Sequence, residues 1–316
     1  MIEYIPDSQT IKDAHNRIAP YIHNTPLLRS TYFNELIGAQ LYFKCENFQK
    51  AGSFKMRGAS NYMLSCSSTQ LNKGFATHSS GNHGQAVALA SQLAETKAYI
   101  VMPHDAPKVK IDAVQSYGAE ISFCEPNEAA RIGTCSEVLK KTNATFIHPF
   151  DDYNIIAGQA TAAKEIFDEG LTPDFVLCPV GGGGLASGTV LSTKYFCPSA
   201  KVILCEPQQV NDTFDSLNTN KLHPATNQPT IADGLRSSLG KKNFDILKGG
   251  ADTVFTVSEE EIIEAMRLIW ERMKIIIEPS CAVPLAALIK RKDFFESKKI
   301  AVILTGGNVD LQNLPF

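Results

Sequence analysis

A chain of 316 residues can bury about three quarters of the surface it exposes when unfolded, enough for one large α/β unit or two domains. At 44% hydrophobic and 20% charged residues, with a net charge of −3 and no basic cluster above three residues, it reads as a soluble globular protein. That charge balance excludes nucleic acid and anionic membranes as natural partners.

A helix is expected from Ser8, where Ile11, Ala14, Ile18 and Ile22 recur at helical spacing. Thr25-Pro26-Leu27-Leu28 should be extended, because the residue before proline avoids the α region. A short buried strand, Leu41 to Cys45, runs into Glu46-Asn47-Phe48-Gln49-Lys50-Ala51-Gly52-Ser53-Phe54-Lys55, and a helix follows to about Cys66. Gly52 and Ser53 are read as the turn and the helix N-cap. From Phe75 the pattern becomes regular: strand Phe75 to His78, the turn Ser79-Ser80-Gly81-Asn82-His83-Gly84, and an alanine-rich helix from Gln85 to Ala94. Strand Ala98 to Met102, helix Lys108 to Tyr117, strand Glu120 to Phe123, helix Asn127 to Lys141 and strand Thr145 to Ile147 follow. A second series opens with a helix from Ile155 to Phe167, strand Phe175 to Val180, four glycines at 181–184 and a helix to Phe196. Strand Lys201 to Cys205 leads into a segment, 206–250, expected to be mostly loop. Strand Thr253 to Val257, capped helix Ser258 to Met273, helix Ala282 to Lys290 and strand Ile300 to Leu304 complete the chain. Strands alternating with helices imply parallel sheets covered by helices, here two α/β domains with a cleft between them.

No apolar run reaches 18 residues, and Met1 to Asp7 lacks the basic and apolar regions of a signal peptide, so a cytoplasmic location is expected. Eight cysteines, none in a C-x-x-C pair, fit buried free thiols better than disulfides or zinc.

Four turns carry chemistry. Lys55 falls at a helix start, where positive dipole and the neighbouring Phe54 favour the neutral amine that can attack an aldehyde and hold an imine. Gly181 to Gly184, between strand and helix, leave backbone N–H groups uncovered for a phosphate. Glu206 lies about where a dinucleotide site would place its ribose acid, yet G-x-G-x-x-G is absent: the third glycine would be Ala186 or Ser187. A single phosphate monoester therefore suits the loop better than a pyrophosphate. Ser79 to Gly84 offers N–H, hydroxyl and amide donors for a carboxylate, and Ser80 could exchange a proton. Thr305-Gly306-Gly307-Asn308 places a neutral hydroxyl at another sheet edge. An aldehyde cofactor with one phosphate, working on an amino acid, needs that set, and pyridoxal 5′-phosphate fits.

S-F-K-M-R-G-A at 53–59, S-S-G-N-H-G-Q-A at 79–86, G-G-G-G-L at 181–185 and T-G-G-N-V-D at 305–310 closely resemble the fold-type-II pyridoxal enzymes. More narrowly they resemble the serine racemase and serine/threonine dehydratase group, with further matches at Ala157-Gly158-Gln159 and Thr230 to Gly234. The resemblance implies a tryptophan synthase β-like α/β fold of two open, twisted, mostly parallel sheets. It assigns 1–70 and 152–316 to a large cofactor-binding domain and 71–151 to a small mobile one. It implies Lys55 as the Schiff-base lysine, Phe54 beside the ring and Asn82 near the ring hydroxyl. Gly181, Gly182, Gly183, Gly184 and Leu185 would take the phosphate, and Thr305 the pyridine nitrogen. Ser79, Asn82 and His83 would hold the substrate carboxylate, with Ser80 opposite Lys55. Glu206, Val210 and Asp212 match the group's divalent-cation site, for Mg²⁺, Ca²⁺ or Mn²⁺. Lys50, Gln85, Tyr117, Lys274 and Asn308 fall where racemase relatives bind ATP at a subunit interface, and relatives are commonly homodimers.

The implied activity is β-elimination from L-serine or L-threonine, giving pyruvate or 2-oxobutanoate and ammonia. Racemisation of serine, or dehydration of 3-hydroxyaspartate, are the alternatives. Phe150 looks like the dehydratases, since animal racemases show Asn there, whereas Ser80 and the acidic loop look like the racemases. A sulfhydrylase-like transferase fits less well, because its relatives usually carry Thr where His83 stands. A non-catalytic nucleotide-binding protein built on the glycine loop is the remaining alternative.

Overall fold

The structure, a computed structural model, describes residues 1–226 and 228–316. Among the described residues ten strands form two sheets: β1 (Leu27–Leu28), β2 (Gln40–Cys45), β3 (Phe75–His78), β4 (Ala98–Pro103), β5 (Glu120–Cys124), β6 (Thr145–Phe146), β7 (Phe175–Pro179), β8 (Lys201–Pro207), β9 (Thr253–Val257) and β10 (Lys299–Leu304). The larger sheet runs β1-β2-β10-β7-β8-β9 and is parallel except for β1 against β2. The smaller runs β5-β4-β3-β6, all parallel.

Side-chain alternation divides the larger sheet cleanly between two cores. Leu177, Ile203 and Val302 face the helices Glu259–Met273 and Pro279–Lys290. Val176, Cys178, Val202, Leu204 and Ile303 face Tyr153–Asp168 and Gly184–Phe196. A third core joins the smaller sheet, through Phe75, Ile100 and Met102, to Met56, Ala59 and Met63 of the helix Lys55–Leu64.

Glycines set how closely these helices cross. A Cβ on Gly158 would lie 2.7 Å from both Arg57 O and Gly58 Cα, and one on Gly188 would lie 2.6 Å from Ala160 N. The Ala157-Gly158-Gln159 match is thus a packing contact that seats the Lys55 helix against Tyr153–Asp168.

Where the sequence pattern was weakest, caps come from side chains outside the N-cap position. The segment 206–250, expected as loop, contains the helices Asp212–Thr219 and Lys241–Leu247. The first is capped by the Glu206 carboxylate, which accepts from Phe214 N (2.6 Å) and Thr213 N (3.3 Å). The second is capped by Asp151, which accepts from Lys242 N at 2.9 Å and Asn243 N at 3.3 Å. Short helices Thr31–Ile37, Ser68–Lys73 and Lys292–Phe295 were also not expected. All eight cysteines are free and seven are buried, as expected, with Cys45 and Cys178 pushed up to about 12 by burial. Among the described residues no helix is long and apolar enough to cross a membrane.

Candidate active site

β2 ends at Cys45, and two 3₁₀ turns, Glu46–Phe48 and Lys50–Gly52, carry the chain to Lys55, the first residue of its helix. Ala51 (φ 55°) and Gly52 (φ 69°) reverse its direction. Ser53 is not the N-cap. Its extended backbone (φ −163°, ψ 160°) forms a β-bridge to Gly306, and its Oγ is buried without a hydrogen-bond partner. Phe54 occupies the cap position with no side-chain cap, and its N–H donates to Thr305 O (3.1 Å). The turn is therefore tied to the end of β10, which brings Thr305 beside the Lys55 turn.

Lys55 Nζ donates to Pro149 O at 2.9 Å and lies 5.1 Å from the centre of the Phe54 ring. Burial lowers its amine from 10.5 to about 8, with Glu278 pulling the other way. The residue after Pro149, Phe150, lays its ring against Gly182, where a Cβ would collide with it. The amine and the glycine loop thus meet through two adjacent residues.

The loop itself is wholly buried. Gly183 has φ 95°, and a Cβ on Gly181 would lie 2.8 Å from Leu235 Cα. Asn243 Nδ2 donates to Gly182 O (2.9 Å) and to Phe150 O (3.2 Å), bracing loop and cleft wall together. Among the described residues no backbone carbonyl takes the N–H groups of Gly181, Gly182 or Gly183. They open at the start of the helix Gly184–Phe196, whose dipole favours an anion there.

On the other side, Ser79, Ser80 and Gly81 form a half-buried turn between β3 and the helix Asn82–Leu93. Ser79 Oγ accepts from Gly81 N at 3.3 Å. The Asn82 amide is already engaged: Nδ2 donates to both Glu278 oxygens (2.7 and 3.0 Å), and Oδ1 accepts from Asn308 Nδ2 (2.9 Å). His83 is buried, with Nε2 at 3.3 Å from Ile147 O and Nδ1 unpartnered. Burial and the Lys55 charge hold it well below the usual histidine range.

A sequence profile of the family described as "Pyridoxal-phosphate dependent enzyme" matches residues 18–306. The chain belongs to this family. It is 47% identical over 308 residues to a serine racemase of Dictyostelium discoideum, covering 96% of this chain and 95% of that protein. It is 43% identical over 313 residues to a beta-hydroxyaspartate dehydratase of Paracoccus denitrificans (strain Pd 1222), covering 99% of each. The solved structure of a T.th. threonine deaminase superposes with a TM-score of 0.91 at 40% identity, covering 97% of this chain and 99% of that one. The fold is that of the fold-type-II pyridoxal enzymes, and the cofactor is pyridoxal 5′-phosphate. The residues fit it: a half-buried amine of lowered pKa, a cradle of unpaired N–H groups at a helix start, and a buried neutral hydroxyl at Thr305.

Several residues of this pyridoxal enzyme's cleft were missed in the sequence. Glu278 is buried and, through burial and the nearby Asp233, raised above the usual carboxylate range. The signal for it was a lone acid closing the apolar run Ile275-Ile276-Ile277, just before Pro279. His148 Nδ1 accepts from Asp151 N (2.8 Å) and Phe150 N (3.3 Å), which leaves its proton on Nε2. Burial lowers it to about 4. Arg131 leaves Nε without a partner, and its charge helps depress His78 at the end of β3.

Glu206, Val210 and Asp212 come together at the end of β8, all buried. Burial raises Glu206 to about 8 and Asp212 to about 6, disfavouring their charged forms. Both also accept backbone N–H groups, Asp212 from Leu239 N at 2.8 Å. Among the described residues no three His, Cys, Asp or Glu side chains gather as metal ligands, so an ion here would rely on two carboxylates, a carbonyl and water. Of the residues matched to a nucleotide site, Asn308 touches the cleft through Asn82, Gln85 is buried, Lys50 and Tyr117 are half-buried and Lys274 is exposed.

Proposed function

We propose that the protein removes water and then ammonia from L-serine and L-threonine, giving pyruvate and 2-oxobutanoate, with serine racemisation as an accompanying activity. The observation that carries this reading is the Lys55 amine, lowered to about 8 and bonded to Pro149 O, while the adjacent Phe150 ring lies on the glycine loop. Bound there, pyridoxal 5′-phosphate supplies an electron sink that acidifies the α-hydrogen of an amino acid.

In this reading Gly181 to Leu185 hold the phosphate through N–H groups, and Thr305 offers a hydroxyl to the pyridine nitrogen. A hydroxyl partner stabilises positive charge less than a carboxylate would, which favours prompt loss of the β-hydroxyl. Lys55, neutral in an appreciable fraction near pH 8, takes the proton from Cα. Phe54 and Phe150 keep water from the amine. Ser79 and the N–H groups at the start of Asn82–Leu93 hold the substrate carboxylate, with Asn82 and His83 beside them. Ser80 returns a proton to Cα when the outcome is racemisation. His83 and His148, held neutral by burial, bring no positive charge to the carboxylate.

A second substrate, 3-hydroxyaspartate, is favoured by Arg131, whose unpartnered Nε near His78 could meet a second carboxylate. The relatives' names agree with both readings. We further propose that 71–151 moves as a small domain against 1–70 and 152–316. A divalent cation (Mg²⁺, Ca²⁺ or Mn²⁺) would bind at Glu206, Val210 and Asp212. ATP would act at Lys50, Gln85, Tyr117, Lys274 and Asn308, in a cytoplasmic homodimer.

The test is a keto-acid assay with chiral chromatography on L-serine, D-serine, L-threonine and 3-hydroxyaspartate. Keto acid from L-serine and L-threonine, with some D-serine formed, is expected. Turnover of 3-hydroxyaspartate alone would move the assignment to that substrate, and no keto acid from any of them would refute it.

A further inference from the structure

The helix that begins with Lys55 has no side-chain cap, and the turn before it places two residues at positive φ. Local sequence therefore does little to fix its first residue. Two positions along the same helix, Arg57 is wholly buried. Its Nε and Nη2 donate to the two Glu46 oxygens, both at 2.7 Å. Its Nη1 and Nη2 donate to the two Glu165 oxygens at 2.6 and 2.7 Å, and Nη1 reaches Thr161 Oγ1 at 3.1 Å. Glu46 directly follows β2, whereas Glu165 belongs to the helix Tyr153–Asp168. Lys44, buried in β2, donates to Glu165 Oε2 (2.7 Å) and to Thr25 O (2.6 Å). Thr25 Oγ1 in turn donates to Glu46 Oε1 at 2.5 Å.

Two cations and two carboxylates leave this cluster neutral. Apolar residues of similar volume in place of such a set are often as stable or more so, so stability alone is a weak reason for it. What the planar arginine fork adds is direction: two bidentate pairs fix the guanidinium in both rotation and position.

We infer that Arg57, Glu46, Glu165 and Lys44 form a positioning device for Lys55, clamping the first turn of its helix between β2 and Tyr153–Asp168 so that the amine points at Pro149 O and the glycine loop. This rests on Lys55 being the residue that carries the cofactor. Arg57 is a positioning residue, since it acts on the amine only through the helix they share. The close glycine contacts at Gly58 and Gly158 set the helix's distance from its neighbour, and the ion cluster sets its rotation.

The test is the charge-balanced double variant Lys44→Met with Glu165→Gln, which leaves Arg57 neutralised by Glu46 and removes the charged pairing to Tyr153–Asp168, so that only neutral hydrogen bonds, Thr161 Oγ1 among them, still join Arg57 to that helix. A displaced amine should lower kcat about 10- to 100-fold, with KM changed less than about threefold. A readout without cofactor accompanies it: the pH dependence of Lys55 acylation in the cofactor-free protein, mapped by mass spectrometry. Its midpoint should move upward from about 8 as the amine gains solvent. Thr161→Val keeps volume and all charges, so it carries the same test if the double variant does not fold, at about threefold in kcat. Unchanged kcat and midpoint in a folded variant would overturn the inference, leaving the cluster a stabilising one only. Borohydride fixation of the wild-type holoenzyme separates the two premises. Cofactor fixed on another lysine refutes the reading of Lys55, whereas cofactor on Lys55 with an unaffected double variant refutes the positioning role alone.

Discussion

Lys55→Met should make the cofactor-free protein more stable at pH 7, because the wild type keeps a charged amine in a largely dry place. A fall from 10.5 to about 8, caused mainly by burial, corresponds to about 3 kcal/mol of cost for the protonated form. Part of the side chain remains accessible, and the variant loses the bond to Pro149 O, worth about 1 kcal/mol. The net expectation is a gain of about 1–2 kcal/mol at pH 7. The sign follows from proton counting. Below pH 8 both folded and unfolded wild type hold the proton, so the penalty is fully present. Between about 8 and 10.5 the unfolded chain holds more of it, wild-type stability rises with pH, and the gap to the variant narrows. Urea denaturation of both cofactor-free proteins across this range measures the gap. A variant less stable than wild type at pH 7, or a gap that does not narrow as pH rises, would refute the reasoning.

Gly182→Ala should weaken cofactor binding about 5- to 150-fold by forcing a Cβ into the Phe150 ring, a strain of about 1–3 kcal/mol, read by titrating the cofactor-free protein. Ser80→Ala should lower racemisation at least about 100-fold while sparing much of L-serine elimination. Equal loss of both by chiral assay would make Ser80 structural. Arg131→Met should lower kcat/KM for 3-hydroxyaspartate about 10- to 100-fold and leave L-serine nearly unchanged, because only the former has a second carboxylate. Asp212→Ala should remove any activation by Mg²⁺, at a cost of about 1–2 kcal/mol in stability from the freed Leu239 N–H; an unchanged metal response would place the ion elsewhere.

Much of the fold was legible because its strands are apolar and evenly punctuated. β7 is buried at every position, and the glycines that follow it announce the turn into the next helix. What escaped depended mostly on distant partners. The helix Lys241–Leu247 has its cap in Asp151, 91 residues before Lys242, so no N-terminal signal lies in its own residues. Asp212–Thr219, by contrast, has Asn211 before it and Asp212 and Asp215 in its first turn, a local signal that the loop reading passed over. Ser53 has the residue type of a cap, yet its backbone is taken by the bridge to Gly306. At the candidate site, residue type and spacing pointed to Lys55 and the glycine loop, which the fold connects through Pro149 and Phe150. The Asn82–Glu278 pairing joins residues 196 apart, and the His148 tautomer is set by backbone N–H groups, so no local pattern encodes either. Arg57 was visible as a letter in a motif, but its burial between two carboxylates was not.

The most direct test of the central claim, that the cofactor is carried on Lys55 with its phosphate on the glycine loop, is a crystal structure of the holoenzyme. Continuous density from Lys55 Nζ to the cofactor, with phosphate oxygens within hydrogen-bond reach of the N–H groups of Gly181 to Gly184, is the expected result. Cofactor joined to another lysine, or a phosphate lodged at Ser79 to Gly84 instead, would contradict it.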